Sequence, residues 1–565
     1  MSNSLRSIIF KKVTQPLQNV NNAYKSKIMS ELKVNLNNSN NMYCFTLPLK
    51  SEHYNISDEV PNIIKNDLED TFDNVRIENN TILFNILRDK YVKTILESNH
   101  SGLIPPLLID NNKHVIVEFS SPNIAKPFHF GHLRSTIIGN CIANINDFLH
   151  NKVKKINYLG DWGTQFGLVQ LGIELANIDD IQIQKDPLKA LLKAYVTANE
   201  LASSDPTISE RARDIFTQLE LGENTYYKKW QTFKHYTVQE LEKTYKRINV
   251  SFDEYHWESM YSAINIKHII SLMEELQLLE LDHEDRKVIP ITESRNIPIL
   301  KSDGSTLYMT RDIAAAIDRF EKYKFDAMYY VVDTAQNDHF LSLITILNKL
   351  KLPWANKLKH VKFGRVIGMS TRKGTSVLLN DILDEAKTIM RNRQLNNTTT
   401  KVVLDESDNT SDILGISSVI IHDLKRRRTN DYKFNWDLIL DMKGDCGAKL
   451  QYTHCRLTNL EYNSGATLVA ECNPSLLKET EVDNLIILIS KFDEVILKSY
   501  EQLEPCILTV YLFHLCHAVD KAFKTLRIKN QPPDLGNQRL LLFHTAKIIL
   551  AEGMKLLGLT PLKKM

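Results

Sequence analysis

The sequence predicts an α/β fold: a Rossmann-type parallel-sheet domain, preceded by a small α+β domain and followed by an all-helical one. Three observations predict it. First, "HVIVEFS" (114–120) has the length and β-branched content of a buried strand; Ile137, Cys141, Ile145 and Leu149 then recur at four-residue spacing, and "KVKKINYLGDWG" supplies a second strand. Strand, helix, strand in that order implies a right-handed crossover and a parallel sheet. Second, residues 31–110 mix short β runs with one helical segment. Third, helical periodicity dominates from about 415 to the end, as in "DNLIILISKFDEVILKSYEQL".

In chain order, residues 1–30 carry Arg6, Lys11, Lys12, Lys25 and Lys27, several serines and no acidic residue before Glu31, which is the composition of a mitochondrial transit peptide, with a frayed basic terminus as the alternative. Residues 31–110 hold the runs "MYCFTLPL" and "TILFNI", with "ENN" expected at a hairpin turn. The sheet domain is expected over 111–414, with the helical patterns of 168–290 as an insertion. The sheet is expected to resume near "NIPILKSDGSTLYMTRD", turning at Asp303 and Gly304. "FDAMYYVVDTAQNDHF" reads as a further strand with polar residues at its carboxyl end. "HVKFGRVIGMSTRKGTSVLL" reads as a strand, a basic loop and a return strand, and the polar stretch 391–413 as a surface loop. Residues 415–565 complete the chain as a helical domain.

With 43% hydrophobic and 24% charged residues, and no run of the ~20 uninterrupted apolar residues that a membrane span needs, the chain reads as soluble and off the membrane. A formal charge of +2 means that any nucleic-acid partner must be held by local basic patches. The seven cysteines (44, 141, 446, 455, 472, 506, 516) include no Cys-x-x-Cys pair, so reduced structural thiols are expected and no protein metal site.

The chemistry is concentrated in "SSPNIAKPFHFGHLRST" (120–136), where His129, Gly131 and His132 follow the first strand of the sheet, the place where such sheets bind ligands. For ATP, Gly131 lets an adenine ring approach the backbone, and the following helix offers N–H groups and a positive dipole to phosphate. Two imidazoles there can donate to phosphate oxygens as charge develops. The loop "GMSTRKGTS" (368–376) bears Arg372 and Lys373, which can close over a triphosphate. Taken alone, the first motif fits helix capping and packing equally well, and the second fits a solvated turn.

Together these motifs resemble the class I aminoacyl-tRNA synthetases, and specifically the arginyl-tRNA synthetases. "HFGH" (129–132) resembles the HIGH signature and "GMSTRKGT" the KMSKS loop. "VEFSSPNIAKPFHFGHLRST", "YLGDWGTQFG", "YMTRD", "AQNDHF" and "LQYTHCRL" follow in the family's order. The resemblance implies that His129, Gly131 and His132 act at the α-phosphate of ATP, and that Met369, Ser370, Arg372 and Lys373 form the ATP loop. It implies that Glu118, Asn123, Tyr308, Asp312 and Gln336 hold arginine, whose planar guanidinium asks for carboxylate and phenol acceptors. Gly368 and Thr371 stand where the loop's lysines would be, and Lys126 occupies the place from which other members supply that cation.

The resemblance further implies an arginine–tRNA ligase that forms arginyl-adenylate and passes arginine to the 3′ end of tRNA(Arg). Its Mg²⁺ would be carried by ATP. Members generally need bound tRNA before they activate arginine, and are expected to be monomers. The helical domain resembles the family's anticodon-binding domain, with Gln451, Tyr452, His454 and Arg456 as tRNA contacts; separately, Arg426 to Arg428 in the basic run "KRRRTNDYKFNWD" fit contact with tRNA phosphates and a solvated helix end equally well. The N-terminus, "GDCGAKLQYTH" and "GMKLLGLTP" resemble animal mitochondrial members, so the matrix is expected, with the cytosol as the alternative. A non-catalytic RNA-binding relative is the other alternative, and the intact ATP motifs argue against it.

Overall fold

The structure is a computed structural model that describes residues 2–565 except 16–21, 38–41, 53–54, 57–59, 61–71, 107, 109–111, 124–127, 129, 221–223, 262, 293–294, 303, 305, 368–378, 397–407 and 442–443. The N-terminal domain is built on a four-stranded antiparallel sheet in the order β1-β2-β4-β3, with β1 Lys33–Asn37, β2 Met42–Pro48, β3 Asn74–Glu78 and β4 Thr81–Leu87. The "ENN" turn joins β3 to β4, and Asn79 and Asn80 take φ of 46° and 60°, the pair of left-handed residues that a tight two-residue hairpin demands. The helix Arg88–Asn99 covers this sheet with Tyr91, Val92, Ile95 and Leu96, all fully buried.

Of the segment expected to be a transit peptide, the described residues 2–15 and 22–30 form two helices, Ser2–Thr14 and Asn22–Glu31. The helix Ser2–Thr14 buries Leu5, Ile9, Phe10 and Val13, while Lys11 lies exposed. The buried Arg6 guanidinium donates to the Leu32 carbonyl and pairs with Glu494, which also accepts from the Val34 N–H (2.9 Å). Its basic composition masked an apolar face at helical spacing. A second carboxylate of the helical domain, Asp483, accepts from Tyr43 Oη and Arg88 Nε, each at 2.8 Å, so the N-terminal domain is fastened to the C-terminal one.

The central sheet has five parallel strands in the order β12-β11-β5-β6-β7: β5 His114–Glu118, β6 Lys152–Leu159, β7 Glu254–Trp257, β11 Ala327–Tyr330 and β12 Leu358–His360. The chain runs outward from β5 through β6 to β7, then returns to lay β11 against the other side of β5. The winding direction therefore reverses between β5 and β11, which opens a crevice at their carboxyl ends. The helix Phe130–Phe148 makes the β5–β6 crossover and buries Ile137, Cys141 and Ile145, as the spacing predicts. It packs so closely that a Cβ on Gly139 would lie 2.3 Å from Phe119.

The insertion between β6 and β7 is helical, with Pro187–Ser204, Pro206–Glu220 and Asn224–Arg247 its longest members. Two expectations are corrected here. β7 lies inside the stretch read as helical, too short for its pattern to register among long helices. The segment around "NIPIL" does not rejoin the main sheet: β9 (Lys287–Thr292) and β10 (Arg295–Leu300) form a separate antiparallel sheet with β8 (Glu280–Leu281). Gly304 has φ +78°, while Asp303 lies outside the described residues.

The strand before the basic loop is β13 (Val366–Ile367), which pairs in parallel with β14 (Tyr432–Lys433). The helix Leu379–Leu395 follows the loop and runs into the stretch expected as surface loop, and the next helix starts at Thr410. Buried Ile382, Leu383, Ala386 and Met390 carry it under a polar exterior, and buried Gln394 accepts from Ser411 Oγ (2.7 Å). The C-terminal domain packs Thr410–Leu424, Gly447–Asn463, Thr480–Ser490, Phe492–Gln502, Pro505–Thr525 and Pro533–Leu556. Pro505–Thr525 is long and apolar enough to cross a membrane by length and composition, and it turns Leu508, Leu512, Leu515 and Val519 into the bundle core.

Candidate active site

A cavity of about 240 Å³, open to solvent, occupies the crevice between β5 and β11. Glu118, Asn123, Tyr308, Asp312 and Gln336, which the family resemblance assigns to arginine, all line it. Glu118 is the last residue of the central strand, and its buried carboxylate is paired with the buried Arg319 guanidinium. Burial pushes the Glu118 carboxyl upward and Arg319 pulls it back; burial also works against the guanidinium's charge, and the adjacent Glu118 outweighs it. Glu118 thus meets a cation of the protein before it meets any ligand.

Asn123 follows two left-handed residues, Ser120 (φ 73°) and Ser121 (φ 47°), and bridges to Gly160 beyond β6. Tyr308 and Asp312 are one turn apart in the helix Tyr308–Tyr323, so both present to the same side. Asp312 Oδ2 contacts His339 Nε2 at 2.6 Å. Gln336 closes a short 3₁₀ turn after β11, capped by Asp333, whose carboxylate accepts from the Ala335 N–H (2.6 Å).

The sequence reading missed Glu258, His339, Tyr158 and Arg319, which line the same cavity. His339 was legible three residues after Gln336, in "AQNDHF". Glu258 follows the unrecognised strand β7. Its Oε2 is buried without a hydrogen bond, 3.9 Å from Arg311, and burial with Asp312 and Asp161 nearby pushes its carboxyl up to about 8, against the pull of Arg311. Burial likewise drives the Tyr158 and Tyr308 phenols upward, so both keep their protons at neutral pH.

Glu258 is set in place by its neighbour. Ser259 donates from N (3.0 Å) and Oγ (2.7 Å) to Asp161, which is fully buried and takes a third bond from Lys234 (2.9 Å). The Lys234 ammonium sits 4.0 Å from the ring centroids of both Trp230 and Trp257, where cation–π attraction offsets part of its desolvation. Asp161 belongs to "YLGDWG", so that turn locks β6 to the end of β7.

Gly131 and His132 lie in the first turn of the crossover helix, which follows β5. Phe128 stacks on the His132 imidazole (centroids 5.4 Å apart, planes 2° apart). His129 and Lys126 lie outside the described residues, as do Met369, Ser370, Arg372 and Lys373. The Leu379 N–H, just past the basic loop, donates to the Phe128 carbonyl (2.9 Å), so the two motif segments are tied at this point. Among the described residues no group of three His, Cys, Asp or Glu side chains is placed to hold a metal ion.

The predicted RNA contacts divide. Tyr452 and Arg456 are exposed on one face of Gly447–Asn463, with the Arg456 guanidinium 4.1 Å from the Phe523 centroid. Gln451 and His454 are corrections: both are buried and offer no surface to RNA. Gln451 donates to Ser417 Oγ and the Thr560 carbonyl and accepts from the Leu562 N–H, all at 2.9 Å, and His454 Nδ1 meets the Leu562 carbonyl at 2.7 Å. They seat the C-terminal segment. Arg426 and Arg428 are likewise engaged internally, on the His422 carbonyl and on the Leu503 carbonyl (3.0 Å), leaving Arg427 exposed.

Comparison with known proteins agrees with this geometry. The chain matches the family described as tRNA synthetases class I (R), catalytic domain, over residues 92–436, and the DALR anticodon binding domain over 450–565. It is 40% identical over 495 residues to a probable mitochondrial arginine–tRNA ligase of Homo sapiens, covering 86% of this chain and 85% of that one. It is also 40% identical over 483 residues to a probable cytoplasmic arginine–tRNA ligase of Dictyostelium discoideum, covering 80% and 81%. The arginyl-tRNA synthetase of Thermus thermophilus shares the fold, with a TM-score of 0.78 and 20% identity over 99% of this chain and all of that one. On the match of both domains and the identity over most of its length, the chain belongs to the arginyl-tRNA synthetase family of class I aminoacyl-tRNA synthetases.

Proposed function

We propose that this protein is an arginine–tRNA ligase that activates L-arginine with ATP and transfers it to tRNA(Arg), serving mitochondrial translation. The observation that carries the reading is the cavity at the β5–β11 crevice, where Asp312, Glu258 and Tyr308 converge as acceptors. A guanidinium presents five donors in a planar fork, and two carboxylates with a phenol satisfy it as they would not satisfy a lysine ammonium.

In the first step an arginine carboxylate oxygen attacks the α-phosphorus of ATP; the bond to the bridging oxygen of pyrophosphate breaks, giving arginyl-adenylate and pyrophosphate. Gly131 and His132, with His129, receive the nucleotide; the imidazoles donate to the oxygens on which charge grows. Lys126 and the Arg372–Lys373 loop neutralise the leaving pyrophosphate, and Mg²⁺ enters as part of the ATP substrate. In the second step a hydroxyl of the terminal tRNA ribose attacks the arginyl carbonyl carbon and AMP leaves. Tyr452 and Arg456 face the RNA, with an aromatic surface for stacking on unpaired bases.

Mitochondrial service rests on the relatives, among which cytoplasmic members match at the same identity. Charging of tRNA(Arg) transcript tests the ligase: arginine is expected to be esterified while lysine and citrulline are not. Equal charging with lysine would overturn the pocket assignment. Fractionation of cells expressing the tagged full chain tests the compartment.

A further inference from the structure

Ser120 and Ser121, the two left-handed residues after β5, hold a conformation that side-chain-bearing residues rarely adopt, so something must keep them there. The Ser120 N–H donates to Ser135 Oγ (2.9 Å), and Thr136 Oγ1 donates to Ser120 Oγ (2.8 Å). The Ser121 N–H donates to Asn157 Oδ1 (3.0 Å). The buried hydroxyl of Tyr245 joins these groups, 2.7 Å from Ser120 Oγ and accepting from Asn157 Nδ2 at 3.0 Å. Its ring edge rests on Phe128 (5.5 Å, planes at 85°), the ring that stacks on His132.

One side chain of the helical insertion therefore braces both the turn leading to Asn123 and the ring behind the ATP motif. Two residues further along the same helix, Arg247 grips Asp412 with Nε (3.1 Å) and Nη2 (2.7 Å) and Asp384 with Nη1 (2.7 Å). That end of the helix is anchored in the helices that follow the ATP loop and open the C-terminal domain, so Tyr245 presses from a fixed base.

We propose that Tyr245 is a positioning residue for adenylate formation: its hydroxyl holds the Ser120–Ser121 turn and its ring backs the Phe128–His132 stack. The inference rests on the ligase reading above. Its test is Tyr245→Phe in the full chain, followed by arginine-dependent ATP–pyrophosphate exchange in the presence of tRNA(Arg) transcript, arginine affinity by calorimetry and thermal melting. Deleting a buried hydrogen-bonded hydroxyl is expected to lower the exchange kcat about ten- to a hundredfold. Arginine affinity should fall several-fold less than kcat, because Tyr308, Asp312 and Glu258 stand on other elements and only Asn123 follows the braced turn, and a Tyr245→Leu variant, which also frees Phe128, should lose more. Ser120→Ala breaks the same contact from the other side and should reproduce the kcat loss if the phenylalanine variant fails to fold.

An exchange kcat within twofold of the unaltered protein would overturn the proposal. So would a parallel loss of kcat, arginine affinity and melting temperature in both conservative variants, which would make the network a support of the fold alone. If the unaltered protein itself showed no arginine-dependent exchange, the ligase reading would fall first; an active parent with an equally active Tyr245→Phe variant sinks only this inference.

Discussion

Arginine binding should tighten as pH rises from 7 to 9, because Glu258 must lose a proton to receive the guanidinium. With its carboxyl at about 8 in the free cavity, roughly one molecule in eleven carries the charge at pH 7 and about ten in eleven at pH 9. The neutral form is the one that burial favours, whereas a bound cation favours the ionised form, so binding expels a proton and affinity grows with pH. If only the ionised form binds well, the apparent constant scales inversely with that fraction, and the KM for arginine at pH 7 is about tenfold that at pH 9. The assay is pyrophosphate exchange at saturating ATP across this range, paired with calorimetry in two buffers of different ionisation heat to count the released proton. Glu258→Gln retains the substrate's own titration, so the difference between the two profiles isolates this carboxyl; the variant should be flatter and weaker at pH 9. Identical profiles for the two proteins would refute the assignment.

Glu118→Gln leaves the buried Arg319 cation without its carboxylate, a change that costs about 3–5 kcal/mol and, for a cooperative unit of ~300 residues, lowers Tm by about 5–8 °C; a shift under about 2 °C would count against a buried pair. His422, desolvated and beside Arg426 and Lys425, titrates at about 3 against an ordinary 6.5. Its neutral form is native, so stability is full above about 6.5 and declines as pH falls toward 3, by up to ~1.4 kcal/mol per pH unit. The urea midpoint of His422→Gln should therefore fall less than the parent's between pH 6.5 and 4.5. Lys126→Ala should severely impair pyrophosphate exchange, and near-normal exchange would remove Lys126 from its role.

What the sequence made legible were elements whose signal is local and strong. β5 is buried on both faces, so it reads as an unbroken apolar run, and the "ENN" turn needs two left-handed residues that asparagine tolerates. The residues that the motif resemblance assigns to arginine meet in one cavity because they end neighbouring parallel strands or open the helices beside them. What stayed hidden depends on tertiary partners. Glu258 acquires its character from Asp161, Arg311 and burial, none adjacent to it in sequence. Ser2–Thr14 has the charges of an import signal, and only the placement of Glu494 shows that Arg6 faces inward. Gln451 and His454 share a helix with exposed Tyr452 and Arg456, but their polar atoms were reserved for the C-terminal segment more than a hundred residues away.

The measurement that tests the central claim most directly is ATP–pyrophosphate exchange with each amino acid in turn, with and without mitochondrial tRNA(Arg) transcript. The account predicts exchange that requires arginine and rises on adding the tRNA. Exchange driven by another amino acid, or no exchange from a chain that still binds the tRNA, would contradict it.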